Sequence, residues 1–362
     1  MIGSCIGSFL NVVIYRVPLG MSVNKPNRSF CPKCKYHFPI WLNLPVISWL
    51  WLRGKCANCK EPISIRYPVV ELLTGLLFAA VWWAIPQPQV AIFLWILVAL
   101  FVAISFIDAD HMIIPTLMTW VGTGFGIIAA ITWPRLPQMS SYDDLSRWDG
   151  LIQSGIGFAV GFFGLWGVVN LGKIAFGKKD MKFEKETAWH LKEPDNDVDP
   201  LFFIIEEEEI GWWDIFNRPK DRLILECGEV RVDGEEVGEG TLTILEQEIE
   251  LPDGSKRSIG DMKSLDGTAT QVVIPREAMG FGDVHLLGMI GAYFGWSGAV
   301  FTLFGASLLA LVAALFGRIG FGRQLPFGPF LAMAALGWML GGYKLWQWYL
   351  LYLGPLWPAK EF

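Results

Sequence analysis

The sequence predicts a polytopic α-helical membrane protein of about eight transmembrane helices, with a cytoplasmic zinc-knuckle loop and a small β-rich soluble insertion. Three observations lead there. Apolar residues make up 53% of the chain against 18% charged, a balance unlike that of soluble domains. Apolar windows long enough to cross a hydrocarbon core of about 30 Å recur along the chain. The charges are gathered into two stretches instead of being spread evenly.

The first apolar stretch, MIGSCIGSFLNVVIYR (1–16), is shorter than the roughly 20 residues a span needs and lacks the charged start and cleavage site of a signal peptide. It reads as a first helix missing its outer end. From Arg16 to Arg66 the chain carries Lys25, Arg28, Lys33, Lys35, Arg53, Lys55 and Lys60 against a single acid, Glu61, so the positive-inside rule makes this loop cytoplasmic. Within it, CPKC (Cys31, Cys34) and CANC (Cys56, Cys59) form two knuckles with the double C-x-x-C spacing of a tetrahedral Zn²⁺ site. Disulfides are the rival reading, and a reducing cytoplasm disfavours them; an iron–sulfur centre is the other. Four thiolates close the coordination shell, so the expected metal is structural. Cys5 and Cys227 stand alone and read as buried thiols.

Spans at 68–86 and 89–107 go out and return, spans at 115–133 and 151–176 repeat the excursion, and residues 177–276 then fall on the cytoplasmic side. That segment holds most of the acids, including Glu206 to Glu209. Its stretches LILECGEVRVDGEEV and TLTILEQEIELPDGSKRSI alternate apolar and polar residues around Asp-Gly pairs, the pattern of strands and hairpins. Its acidity reads as solvation. A short helix at 284–296, turning at GWSG (295–298), pairs with a span at 299–317, and 326–353 completes the set. The expected divisions are 1–67, 68–176, 177–276 and 277–362. No Rossmann or Walker sequence is present, so no nucleotide cradle is expected; no nucleic-acid partner is expected either.

By this topology Asp108, in SFIDADHMIIP, and Asp283, in MGFGDVHLLG, share the cytoplasmic border. Either alone reads as a helix cap, since aspartate is a favoured N-cap. Together, on separate helices at one membrane face, they fit a carboxylate pair that shares a proton, one activating water as general base and the other acting as general acid. Asp110 and His111 compete for any nearby role. Gly280 and Gly282 would let an extended substrate backbone come close to Asp283. About thirteen residues separate Val284 from the turn, roughly 20 Å of helix, less than the hydrocarbon thickness. Asp283 is thus drawn slightly inward.

Six stretches in order, GSFLNVVIYRVP (7–18), the cysteine knuckles, NLPVISWLWLRGKCANC (43–59), ISIRYPVVELLTG (63–75), FIDADHMIIP (106–115) and GFGDVHLLGMIGAYFG (280–295), resemble the bacterial type IV prepilin peptidase family, whose members are similar in mechanism to other Gly-x-Gly-Asp intramembrane aspartic proteases. The resemblance covers most of 1–176 and 277–345. It implies a peptidase of the bacterial inner membrane that removes the basic leader of type IV prepilins or type II secretion pseudopilins. Asp108 and Asp283 would be catalytic, Gly280 and Gly282 supporting, and Cys31, Cys34, Cys56 and Cys59 metal ligands. Many members also methylate the new N-terminus with S-adenosylmethionine, and no residue here is assigned to that cofactor. Two departures stand out. His285 occupies a position where many relatives have lysine, and the acidic insertion replaces a much shorter connection. Rival readings are a transporter, disfavoured because the spans are nearly free of charge, with Glu71 near an end, and a non-catalytic zinc scaffold, which leaves the two border aspartates without a purpose.

Overall fold

A computed structural model describes the chain except for residues 25–30, 32, 40–43, 138–144, 177, 193–200, 207, 217–220, 276–279, 318–324 and 354–362. It divides into two compact units, Met1–Trp166 with Gly280–Phe362, and Gly167–Met279. The first unit is helical. Its elements are α1 (Ile2–Arg16), α2 (Ile47–Trp51), α3 (Arg66–Ala84), α4 (Pro88–His111), α5 (Thr116–Thr132) and α6 (Arg147–Phe176), the last continuing into the second unit. Four helices among the described residues are long and apolar enough to cross a membrane: α3, α4, Arg147–Lys173 within α6, and Phe281–Phe316. α1 and α5 are apolar but shorter. The expectation of about eight spans is therefore matched, by length and composition, in four.

Small residues let these helices approach closely, as apolar helices without a hydrophobic drive between them require. α1 runs antiparallel to α3: Gly3 packs on Gly75, Gly7 on Glu71, and Asn11 Nδ2 donates to the carbonyl of Tyr67 at 3.2 Å. α4 is central and packs against α1, α3 and α5, with Leu94, Leu97, Val98, Phe101 and Ile104 essentially inaccessible.

The remaining helices of this unit are α8 (Phe281–Phe316), α9 (Gly328–Gly337) and α10 (Tyr343–Leu353); α7 lies in the second unit. α8 is broken at Gly295, where φ 68 and ψ −174 are open only to glycine. Every residue from Asp283 to Gly295 is buried. Gly157 and Gly161 of α6 pack directly on the α8 backbone at Gly291 and Leu287, and Ser154 Oγ donates to the Ala292 carbonyl at 2.7 Å. On the other side Gly122 and Gly126 of α5 receive Met289 and Tyr293. The two halves of α8 pass α9 in opposite senses. Gly282 lies by Ile114, which also touches Gly328 at the start of α9, whereas Gly298 lies by Trp338 just past its end, and Gly305 returns to Ala334. The expected single span 326–353 is divided, because the helix passes through a π-turn at Trp338–Gly342 in which Gly341 takes φ 142.

The second unit is an antiparallel sheet in the order β3-β2-β1-β8-β4-β5-β6-β7. Its strands are β1 (Lys178–Lys192), β2 (Phe202–Ile205), β3 (Glu208–Gly211), β4 (Leu223–Val232), β5 (Glu235–Ile244), β6 (Glu248–Glu250), β7 (Lys256–Ser258) and β8 (Leu265–Pro275), with the one-turn α7 (Trp212–Ile215) after β3. Alternating residues fill one core around Trp189, Phe203, Leu225, Leu242 and Val272. The β4–β5 hairpin turns on Asp233 and Gly234, at φ 53 and 82, the left-handed pair that a two-residue turn demands. Asp233 Oδ1 also accepts the backbone N–H groups of Lys263 and Ser264 at 2.6 and 2.9 Å, fastening that turn to the start of β8.

Candidate active site and metal centre

Asp108 lies in the last turn of α4, which ends when Met112 turns left-handed at φ 54 and donates its N–H to the Asp108 carbonyl. The side chain is buried, with 5% of its residue surface exposed. It does not cap the helix that follows: the N-cap of α5 is Pro115, with no side-chain cap hydrogen bond. Instead Asp108 Oδ2 accepts the backbone N–H of Gly328, the first residue of α9, at 2.9 Å. Asp108 therefore accepts from the first residue of a helix 220 positions away and not from the helix that follows it. A helix N-terminus favours negative charge at that oxygen.

Asp283 sits in the first turn of α8, where the N-cap is Gly280 and no side chain caps. Its carboxylate is buried, and Oδ1 has no hydrogen-bond partner among the described residues. A buried, unpartnered carboxylate oxygen is costly as a structural device. Ile114 links the two acids. A Cβ at Gly282 would fall 2.7 Å from Ile114 Cβ, and one at Gly328 would fall 3.2 Å from Ile114 Cδ1 and 2.7 Å from Asp108 Oδ2.

The two glycines before Asp283 differ. Gly280 is exposed, and a Cβ there would meet Asp283 Oδ2 at 3.7 Å, an ordinary contact. Gly282 faces Ile114 instead, and its bareness admits the α4–α5 connection. Asp110 is engaged elsewhere, its Oδ2 2.5 Å from Arg66 Nη1, while Arg66 also lies over the Phe106 ring at 5.1 Å. His285 is enclosed by aromatic rings in edge-to-face contact, with centroids 4.9 Å from Phe281, 5.1 Å from Phe162 and 5.4 Å from Trp120. Gly328 and Arg66 were not among the residues singled out from sequence. The Gly-Pro pair at 328–329 was the available signal, since proline in the first turn marks a helix start.

The four cysteines converge. All four sulfurs lie within 4.8 Å of one another, with Cys31–Cys59 at 3.8 Å and Cys34–Cys56 at 3.9 Å. Sulfurs around a tetrahedral zinc with 2.3 Å bonds stand about 3.8 Å apart, so the donor set fits that ion, and the separations are far from the 2.05 Å of a disulfide. The knuckles are copies of one another. In each, the first cysteine N–H donates to the carbonyl five residues on (Tyr36, Glu61), and a lysine after the second cysteine (Lys35, Lys60) turns left-handed and donates back to the first. Lys33 and Glu61 join the two at 2.6 Å. A hydrogen bond from the Tyr36 backbone brings the Cys34 thiol down to about 6, which favours the ligating thiolate.

Two family models match the stretches that carry the four cysteines and Asp283. Residues 1–85 match the model described as Bacterial Peptidase A24 N-terminal domain, and residues 264–315 match that of the Type IV leader peptidase family. A protein of Neisseria gonorrhoeae named prepilin leader peptidase/N-methyltransferase is 35% identical over 50% of this chain and 67% of its own. One of the same name from Myxococcus xanthus is 48% identical, over 36% of this chain and 38% of its own length. Another from Aeromonas salmonicida is 26% identical over 95% of this chain and 90% of its own. No solved structure matches.

Proposed function

The chain belongs to the type IV prepilin (leader) peptidase family, and on that premise we propose that it is a membrane aspartic endopeptidase that removes the leader of prepilins or pseudopilins, with Asp108 and Asp283 as its catalytic pair. The carrying observation is the unequal setting of two buried carboxylates, one accepting a helix N-terminal N–H and the other with an oxygen left unpartnered. The helix end favours negative charge on Asp108, which makes it the general base; Asp283 holds the shared proton. Asp108 takes a proton from water as the water oxygen bonds to the scissile carbonyl carbon. Asp283 gives its proton to the leaving amine as the C–N bond breaks, so the pair ends with one proton, as it began. Excess Lys and Arg between Arg16 and Arg66 supports a cytoplasmic position for this end of the helices. A basic leader would stay in water there while the apolar segment after the cut lies in the bilayer of the inner membrane.

Cys31, Cys34, Cys56 and Cys59 hold a structural Zn²⁺ in this reading, clipping the basic loop without entering the reaction. One zinc per chain is expected, and Cys31→Ser or Cys56→Ser lowers metal content more than cleavage. Metal analysis of purified protein decides it, and an iron–sulfur absorption band would replace zinc in the assignment. Methylation with S-adenosylmethionine follows only from the relatives' names, and no residue of this chain is given a part in it. The deciding experiment for the whole reading is co-expression with a candidate prepilin, with leader removal and N-terminal mass measured together. An unprocessed prepilin beside well-expressed protein counts against the peptidase and for a transporter or scaffold.

The insertion stands outside this chemistry. It joins helices of the first unit and contains neither acid of the pair. Replacing residues 180–272 by a short flexible linker should leave cleavage within about tenfold, since connections tolerate changes of length. Loss of cleavage from a variant that still accumulates in membranes would show that the sheet positions substrate.

A further inference from the structure

The basic loop has an apolar surface that neither the carboxylate pair nor the cysteine cluster uses. α2 exposes Ile47 by 53%, Leu50 by 62% and Trp51 by 82%, and Leu44 just before it by 48%. Residues 47, 50 and 51 share one side of a helix. The opposite side is committed inward, with Trp49 Nε1 donating to the Ile63 carbonyl at 3.0 Å and the Trp49 ring against Gly54.

A single hydrogen bond fixes where this helix lies along α3. The Val46 N–H donates to Glu71 Oε2 at 2.7 Å, and Glu71 is buried five residues into α3, about 7 Å along the axis from Arg66. Val46 takes φ 62 and ψ −48, a conformation that a β-branched residue keeps only when its surroundings impose it. The start of α2 is therefore held against the flank of the apolar α1–α3 pair, below the level of Arg66. Amphipathic helices lying on a bilayer settle about 5–10 Å into the headgroup boundary, a distance comparable with this offset from Arg66. Charge agrees as well: the exposed Arg53 and Lys55 stand two and four residues after Trp51. Exposed Tyr15 and Tyr67 mark the adjoining ends of α1 and α3, as interfacial tyrosines do.

We propose that α2 is a wedge seated in the bilayer surface, with Ile47, Leu50 and Trp51 among the lipid chains and Arg53 and Lys55 at phospholipid phosphates. The occupant of this face is lipid, because the face continues the exposed apolar surface of α3 at Val69 and Leu72 and is flanked by cations suited to anionic headgroups. The cysteine cluster, whose Cys56 lies five residues beyond Trp51, is thereby held flat against the membrane. This seating stands whether or not the chain cleaves prepilins.

The test uses the full chain in vesicles of phosphatidylethanolamine and phosphatidylglycerol that include a phospholipid with a photoreactive diazirine in its acyl chain. After illumination, mass spectrometry is expected to find lipid adducts on the peptide containing residues 44–51. Ile47→Asp/Leu50→Asp/Trp51→Asp loses those adducts, keeps those on α3 and its metal content, and is cut by trypsin at Arg53 and Lys55 at least about tenfold faster; Trp51→Phe behaves as wild type. A wild-type 44–51 peptide without lipid adducts, whether bare or cross-linked to a prepilin or a second copy, overturns the proposal.

Discussion

Asp108→Asn and Asp283→Asn should each lower leader cleavage by about 10³-fold or more, the range that positioned acid–base groups supply, while the protein accumulates in membranes at its usual level. Asparagine keeps the size of aspartate and caps helices as well, so a purely structural role predicts almost no change. At Asp108 the amide oxygen can still accept the Gly328 N–H, and Asp283 makes no cap to lose. What disappears in both is the titrating group. Asp110→Asn separates the alternatives further. Its partner Arg66 is 33% exposed and Asp110 itself 36%, a half-exposed ion pair worth at most about 1 kcal/mol, so cleavage should fall only a few-fold. The measurements are prepilin processing in vivo and the amount of each variant in the membrane fraction. Near wild-type processing by either Asp108→Asn or Asp283→Asn would reduce the two acids to structural parts.

Gly328→Val is the second large effect. Its first side-chain carbon would fall 2.7 Å from Asp108 Oδ2 and 3.2 Å from Ile114 Cδ1, distances that force something to move. The movable atom is the carboxylate, and displacement of a reacting group by about 1 Å costs on the order of 10²-fold in rate. Gly328→Ala makes the same intrusion with a single carbon and should lose less. A Gly337→Ala control, at a position with open space around it, should be neutral. Equal activity of Gly328→Val and wild type would mean that Asp108 does not depend on α9. The contrast with the aspartate variants is informative, because the valine variant retains both titrating groups and loses only their setting.

The parts of the site legible in sequence were those written in short, local patterns. Two C-x-x-C pairs announce a shared ion because each loop builds its own half, and the half-loops proved to be copies. The Asp-Gly pairs announced hairpins because a left-handed turn is decided by the two residues that make it. Asp108 and Asp283 were visible as charges at the ends of apolar runs. What stayed hidden depends on chain segments far apart in sequence. The hydrogen bond from Gly328 to Asp108, the bond from Val46 to Glu71 and the pairing of β1 with β8 leave no periodic trace. Counting spans from hydropathy met the same difficulty. Gly341 interrupts an apolar run whose hydropathy does not register a broken helix, whereas the break at Gly295 was legible in the turn GWSG (295–298). The role given to Gly282 also needed structure, since sequence cannot say whether a bare backbone faces a substrate or, as here, Ile114.

The complete burial of α8 between Asp283 and Gly295 bears on how the enzyme is assembled during synthesis. A segment this short, with none of its side chains left for lipid, gains little by leaving the translocon alone. Its resting place exists only once α5 and α6 are in place, with their glycines ready to receive it. The stretch after Gly295 is long and apolar enough to carry it in as the second half of a pair. In a series of truncated nascent chains, residues 281–295 should therefore become protected only after residues up to about 316 have emerged, so Asp283 reaches Asp108 late and a partly made protein has no cutting activity.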